Sequence, residues 1–326
     1  MISEKGQIVL DYLEKYSNSM YKLALARLIY KERPEAFRDI EDVRTKIRYY
    51  TGTKGEKDLQ ELCKSGRTQF IGVCQPTSEK EEREDYVLPV VNNNCLLLFD
   101  VHAPFHEESA IDAMLDWGKA KGINTIILGG DFMDFYGLSH FIRDSRKRNL
   151  QYELDAGYEL LYYIQNKLHK AKIVYLPGNH EYRLDKYLMV KAPELFSVDP
   201  GLGLDYFLHF SDFEITYLRH SQLIRAGNLF IGHGDEFNVR SNPVNPARTF
   251  ALKGKVNYIG GHFHVRSEHS WRRMDDIEES CWSAGCLCGL SPEYRPYNEW
   301  THGFVHLRLD NGFRVFNAKI TNGKVM

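Results

Sequence analysis

The chain has 326 residues, 43% hydrophobic and 26% charged, enough to bury one large core plus a small appendage and too apolar for wholesale disorder. Its net charge of −2 excludes a global basic field, so any nucleic-acid surface must be local. The N-terminus carries charges within its first apolar stretch, unlike a secretory signal, and no run approaches the roughly 18 apolar residues expected of a membrane span.

Residues 1–75 read as helical. Ile8, Val9, Tyr12, Leu13 and Tyr16 follow helical spacing, and "YKLALARLIYKE" gives a second helix stopped by Pro34. "IEDVRTKIRYY" gives a third, with Asp39 as N-cap and Gly52 just beyond its end. That helix carries Arg44, Lys46 and Arg48, followed by Lys54 and Lys57. A helix-turn-helix that inserts this helix into a DNA groove fits the pattern. A packing or oligomerisation module fits nearly as well, because Glu41 and Asp42 share the same helix. Residues 76–91 are polar, acidic and closed by proline, and are expected to be a linker.

Residues 92–326 alternate short apolar strands with helices: "CLLLFD", "ESAIDAMLDWGKAKG" ending at Gly122, "NTIILGGD", "YELDAGYELLYYIQNKLHKA", "KIVYLPGNH", "LFIGHGD" and "VNYIGGHFH". Near the end, Asp310-Asn311-Gly312 supplies a hairpin turn. The alternation predicts an α/β domain whose strands become more antiparallel toward the C-terminus. Six cysteines show no framework spacing, and Cys286 and Cys288 are too close for a CxxC motif, so reduced thiols in a cytoplasmic protein are expected.

Polar residues recur immediately after the strands. The first ends in Asp100 and His102, the second in Asp131 and Asp134, and the third in Asn179 and His180. The fourth ends in His233 and the fifth in His262 and His264, which alternation along a strand would send to one side. Strand C-termini of α/β sheets line up along one edge, so five ends would converge on one cleft. Imidazole and carboxylate donors together suit zinc, manganese or iron, and the lack of thiolate argues against a structural zinc site. One such motif arises by chance; five in order after strands do not.

The series D-x-H, G-D-x-x-D, G-N-H-E, a lone His after a strand, and G-H-x-H resembles the calcineurin-like metallophosphoesterase superfamily. The resemblance covers roughly residues 92–320 and implies a four-layer α-β-β-α sandwich of two mixed β-sheets. It implies two divalent metal ions, manganese foremost, with iron, zinc, nickel or magnesium also accepted by such donors. Asp100, His102 and His264 would hold one ion; Asn179, His233 and His262 would hold the other; Asp131 would bridge them. Cations about 3.5–4 Å apart can share a hydroxide that attacks phosphorus and can neutralise the charge that builds there. His180 would stand beside the leaving group as proton donor, with Asp134 holding its tautomer. A helix N-cap is the alternative for Asp134.

Among weaker candidates, His106 could approach substrate from the first loop, or cap a helix. Arg143, Arg146, Lys147 and Arg148 form a basic run that is either a solvated helix end or a phosphate contact, and Arg183 has similar standing. His302 and its aromatic neighbours read as core or rim. Phe135 stands where serine/threonine protein phosphatases typically carry a phosphate-binding arginine, which weighs against that branch. "GCLCGLSPEY" and the Trp-Thr-His-Gly-Phe run look like the phage and prophage branch, often grouped with DNA-repair exonucleases. The expected function is therefore a phosphodiesterase or nuclease acting on nucleic acid, DNA favoured, in the cytoplasm of a bacterial or phage-infected cell. A phosphomonoesterase acting on nucleotides or phosphoproteins is the alternative within catalysis. A DNA-binding or scaffolding protein with a structural metal centre is the alternative outside it.

Overall fold

In the computed structural model, which describes residues 2–16, 20–52, 84–140, 144, 146, 149–196, 202–239 and 243–326, the spacing of the first segment becomes three helices. These are α1 (Glu4–Tyr16), α2 (Lys22–Glu32) and α3 (Ile40–Thr51). Their apolar stripes meet: Val9 and Leu13, Leu25 and Ile29, and Val43 and Ile47 form one small core with Phe37. The Asp39 side chain caps α3 by accepting from the Asp42 amide at 2.8 Å. Gly52 follows α3 with extended rather than left-handed backbone. Arg44 and Arg48 both pair with Glu41, at 2.6 and 3.2 Å. Exposed pairs of this kind contribute about 0–1 kcal/mol, so both cations stay available to a partner. Lys54, Lys57, Cys63, Cys74, Arg143, Lys147 and Arg148 lie outside the described residues.

The chain divides into two units, Met1–Glu81 and Glu82–Met326. The second holds two mixed sheets. The seven-stranded one runs β13 (Lys324–Val325), β12 (Arg314–Thr321), β11 (Gly303–Arg308), β2 (Asn94–Leu98), β3 (Thr125–Leu128), β4 (Lys172–Tyr175), β5 (Thr216–Tyr217). The six-stranded one runs β1 (Tyr86–Val87), β6 (Ile224–Ala226), β7 (Leu229–Ile231), β8 (Asn257–Gly260), β10 (Glu278–Ser283), β9 (Ser267–Arg272). Strands β2 to β5 are parallel, and β11 to β13 extend them antiparallel. β1 corrects the predicted linker 76–91: Tyr86 and Val87 pair in parallel with Ile224 and Arg225. Two residues are too few to show a period, so the sequence pattern could not mark them.

Side-chain alternation sorts the core into layers. Cys95, Leu97, Ile127 and Val174 face Ile224, Leu229, Ile231 and Ile259 of the other sheet, forming the centre of the sandwich. Leu96, Leu98, Ile126 and Leu128 point outward onto helices α4 (Glu108–Lys121), α5 (Leu150–Lys167) and α6 (Tyr182–Lys191). Tyr258 and Cys281 carry helix α7 (Pro246–Gly254) on the far side. The result is the four-layer α-β-β-α sandwich that the resemblance implied. Both faces of β2 and β3 are covered, which is why they read as unbroken apolar runs. Gly122 ends α4 at φ 64°, and the β11–β12 hairpin turns through Asn311 and Gly312 at φ 52° and 120°. Among the described residues no helix is long and apolar enough to cross a membrane.

Ile127 is fully buried at the centre of the sandwich. Ile127→Ala should destabilise the second unit by about 2–5 kcal/mol, read as a lower urea midpoint of its transition.

Candidate metal centre

β2, β3 and β4 lie side by side in parallel, so the loops that leave them share one edge. β7 and β8 are parallel in the other sheet. The loops after these five strands therefore converge across the sandwich rather than along a single sheet. They are stitched together by backbone: His102 N donates to Asp131 O at 2.9 Å, Asp100 N to Gly130 O at 3.1 Å, and Gly261 N to His233 O at 2.7 Å. The Asp131 and Asp100 carboxylates add to this by accepting the amides of His180 and His262, each at 2.8 Å.

Such close approach is built into the backbone. Asp100, His102, Asp131, His262 and His264 all take positive φ, between 52° and 69°. Residues other than glycine enter this region at a cost of about 1–3 kcal/mol, and they do so mostly at functional sites. This corrects the expected reason for the pairing of His262 and His264. β8 stops at Gly260, so left-handed backbone, not strand alternation, aims the two imidazoles. Glycine is required beside the carboxylates: a Cβ on Gly178 would lie 2.3 Å from Asp131 Oδ1, and one on Gly261 would lie 2.6 Å from Asp100 Oδ2.

Two clusters result. In one, His264 Nε2 is 3.2 Å from both Asp100 Oδ1 and His102 Nε2, which are 4.0 Å from each other. In the other, Asp131, His233 and His262 bring ligand atoms within 4.8 Å of one another, with His233 Nε2 3.1 Å from Asp131 Oδ2. Asp131 stands between the clusters, since it also lies within 4.8 Å of His102 and His180. Buried polar atoms normally have partners. Here Asp100 Oδ1, Asn179 Oδ1, His233 Nε2 and His262 Nδ1 are buried without any hydrogen bond. A set of orphaned lone pairs drawn from four loops fits divalent cations, and the two clusters could hold them.

Outer contacts fix which nitrogen faces inward. His233 Nδ1 sits 3.0 Å from the Gly129 carbonyl and His102 Nδ1 sits 3.0 Å from Asp134 Oδ1, which leaves both Nε2 atoms toward the clusters. Asp134 also reaches His180: its carboxylate is 3.2 Å, and its carbonyl 2.9 Å, from His180 Nδ1. The predicted partner of His180 thus orients His102 as well. Arg183 donates to His180 Nε2 at 2.7 Å and to the Asp134 carbonyl at 2.9 Å.

The electrostatics follow from burial. Burial pushes the Asp131 carboxyl up, and the imidazoles of His180 and His233 more than reverse this, holding it well below its usual range. Asp100 is lowered in the same way, chiefly through His264. His233 goes up beside Asp131 despite its burial, whereas burial and the neighbouring His233 bring His262 down to about 4. Burial likewise lowers His180. Cys288 Sγ is 3.9 Å from His264 Nδ1 and within reach of His102, a sulfur the sequence reading left out. Its contact with Cys286 and its burial push the thiol well up.

Two buried glutamates escaped sequence reasoning. The Glu181 carboxylate accepts four hydrogen bonds, from the amides of Asp131 (3.0 Å), Met133 (2.9 Å) and Gly178 (2.8 Å) and from the Tyr175 hydroxyl (2.9 Å). It ties the β3 and β4 loops together. Its signal was the "E" of "GNHE", which has no partner visible in sequence. Glu153 of α5 accepts the amides of Tyr136 and Gly137 at 2.9 and 3.1 Å and so pins the turn after Asp134. Of the weaker candidates, His106 lines a cavity of about 590 Å³ that opens onto His102, Asp134 and His264. His302 Nε2 lies 2.9 Å from the carbonyl of Cys288, a residue of the cavity's lining.

No family model and no curated protein matches the chain. Among solved structures, vacuolar protein sorting 29 from Cryptosporidium parvum is similar at 14% identity and TM-score 0.38, covering 72% of this chain and 94% of that one. Vps29 of Chaetomium thermophilum is similar at 12% identity and TM-score 0.36, covering 72% and 95%. Neither likeness bears on what this chain does.

Removing the Glu181 carboxylate strands three buried amides and a hydroxyl. Glu181→Ala should therefore cost at least about 3 kcal/mol in urea unfolding. Burial raises Glu153 from 4.5 to about 7. The folded chain therefore holds an extra proton between those values, and stability falls as pH rises through that window. Glu153→Gln should remove this decline, seen as a flatter dependence of the urea midpoint on pH between about 4.5 and 7.

Proposed function

We propose that this chain hydrolyses phosphodiester bonds in nucleic acid, with DNA the favoured substrate, using two divalent cations. The carrying observation is the set of buried atoms Asp100 Oδ1, Asn179 Oδ1, His233 Nε2 and His262 Nδ1, which make no hydrogen bond within the protein, although His264 and Asp131 stand within 3.2 Å of two of them. Asp100, His102 and His264 would hold one cation, Asn179, His233 and His262 the other, with Asp131 shared. Manganese is the first ion to test; iron, zinc, nickel and magnesium suit the same donors. When bound, two such ions lower the pKa of water and neutralise charge at phosphorus.

The chain's own groups supply the rest. Asp134 holds His180 through Nδ1, so Nε2 is the atom that would exchange a proton with the leaving oxygen. Arg183 Nη2 now occupies that nitrogen, and an arriving ester would draw the guanidinium onto its own oxygens. Phe135 supports a diester over a monoester. Where a monoester dianion would want a cation, this position offers a fully buried hydrocarbon ring. Arg44, Lys46 and Arg48 on α3 would add phosphate contacts from the N-terminal unit.

With Mn²⁺, bis-p-nitrophenyl phosphate should be cleaved in preference to p-nitrophenyl phosphate. The reverse preference would reassign the chain to the phosphomonoesterases, and inactivity on both despite bound metal would leave a binding or scaffolding role. His180→Ala should lower kcat by about 10²–10⁴ while elemental analysis finds its metal retained. Loss of both ions in that variant would contradict the role given to His180. Asp131→Asn should instead deplete both ions.

A further inference from the structure

We propose that the cavity beside His102 and His264 is the seat of an unpaired nucleobase belonging to the nucleotide whose phosphodiester is cut. This rests on the phosphodiester reading above and adds what the site selects.

The cavity, about 590 Å³, is of a size that takes small organic ligands and has room for a nucleoside. At one end it is lined by His102, His264 and Asp134, so a molecule inside it is continuous with the metal clusters. Four aromatic rings line the remainder in two contacting pairs. Phe105 meets Tyr136 with centroids 5.9 Å apart, and Tyr294 meets Trp300 at 6.3 Å. Trp300 also packs edgewise on His264 at 4.1 Å, which fixes the indole relative to the cluster. A ring stacked on Trp300 would therefore keep a set distance from the scissile phosphorus.

The described lining favours a neutral ring over a run of phosphates in the same space. The lining carries carboxylates at Asp144 and Glu293 and, among the described residues, no lysine or arginine. Arg146 grips Asp144 from outside, at 2.8 Å, with its side chain 87% exposed. A second phosphate would meet carboxylate here, whereas a neutral heterocycle meets aromatic faces. His106 adds an imidazole to the lining. A base lodged here is out of its double helix, so single strands and frayed ends are the matching substrates.

The test compares two esters with one leaving group, using the full chain and Mn²⁺: the p-nitrophenyl ester of adenosine 5′-monophosphate, and methyl p-nitrophenyl phosphate. The nucleoside ester should have kcat/KM higher by about tenfold or more, carried by KM. Trp300→Leu and Tyr294→Leu should each move the ratio toward one. Tyr294, at 59% exposure, keeps the test open should the Trp300 variant misfold. A wild-type ratio near one, or a ratio unchanged in both variants, overturns the proposal. A second readout needs no turnover. Adenosine, but not ribose, should quench tryptophan fluorescence of the metal-free chain saturably, with weaker affinity in Tyr294→Leu. Absence of that quench, or an equal one from ribose, also overturns it. Should neither ester be cleaved with any of the candidate ions, the phosphodiester reading fails, and the adenosine titration alone decides the cavity.

Discussion

Two carboxylates, Asp100 and Asp131, are buried almost completely, and the arrangement around them depends on compensating their charge. Carboxylates withdrawn from water persist only if positive groups or hydrogen-bond donors surround them. The imidazoles of His264 and His233 stand 3.2 and 3.1 Å away, and the amides of His262 and His180 donate at 2.8 Å. These partners come from loops on both sheets, so the sheets must be held face to face for them to meet. The apolar layer between the sheets has that role. The left-handed backbone at five of the polar positions is strain that such a core can hold in place.

Much of this was legible in the sequence, because the polar residues followed apolar runs one after another. Runs such as "CLLLF" and "TIIL" could only be buried strands, and what came after them had to lie at strand ends. What stayed hidden was set by contacts distant in the chain. No local pattern says that β7 and β8 belong to a different sheet from β2, β3 and β4. The β-strand reading of His262 and His264 placed both on one side but for the wrong reason, since a positive φ leaves no trace in residue type unless glycine marks it. Tyr86 and Val87 were too short a strand to announce themselves. The aromatic neighbours of His302 read as core or rim, yet Trp300, with Tyr294 before it, stands on the cavity wall.

Asp134 shows how a role inferred from one motif widens once distances are known. Its carboxylate lies 3.0 Å from His102 and 3.2 Å from His180. In the proposed role, metal retention and proton transfer would therefore share a single anion, and substitutions at His102 and His180 would not be independent of each other. A loss of activity at Asp134 would report on both rings at once.

Glu181 is joined to the amides of Asp131, Met133 and Gly178 and to the Tyr175 hydroxyl by groups internal to the protein. The basket around the orphaned atoms is thus woven before any ion arrives. In the proposed role, loading such a vessel would require no coil-to-globule transition, in contrast to small zinc modules that collapse around their metal. Chelation would accordingly empty the basket and leave its weave intact.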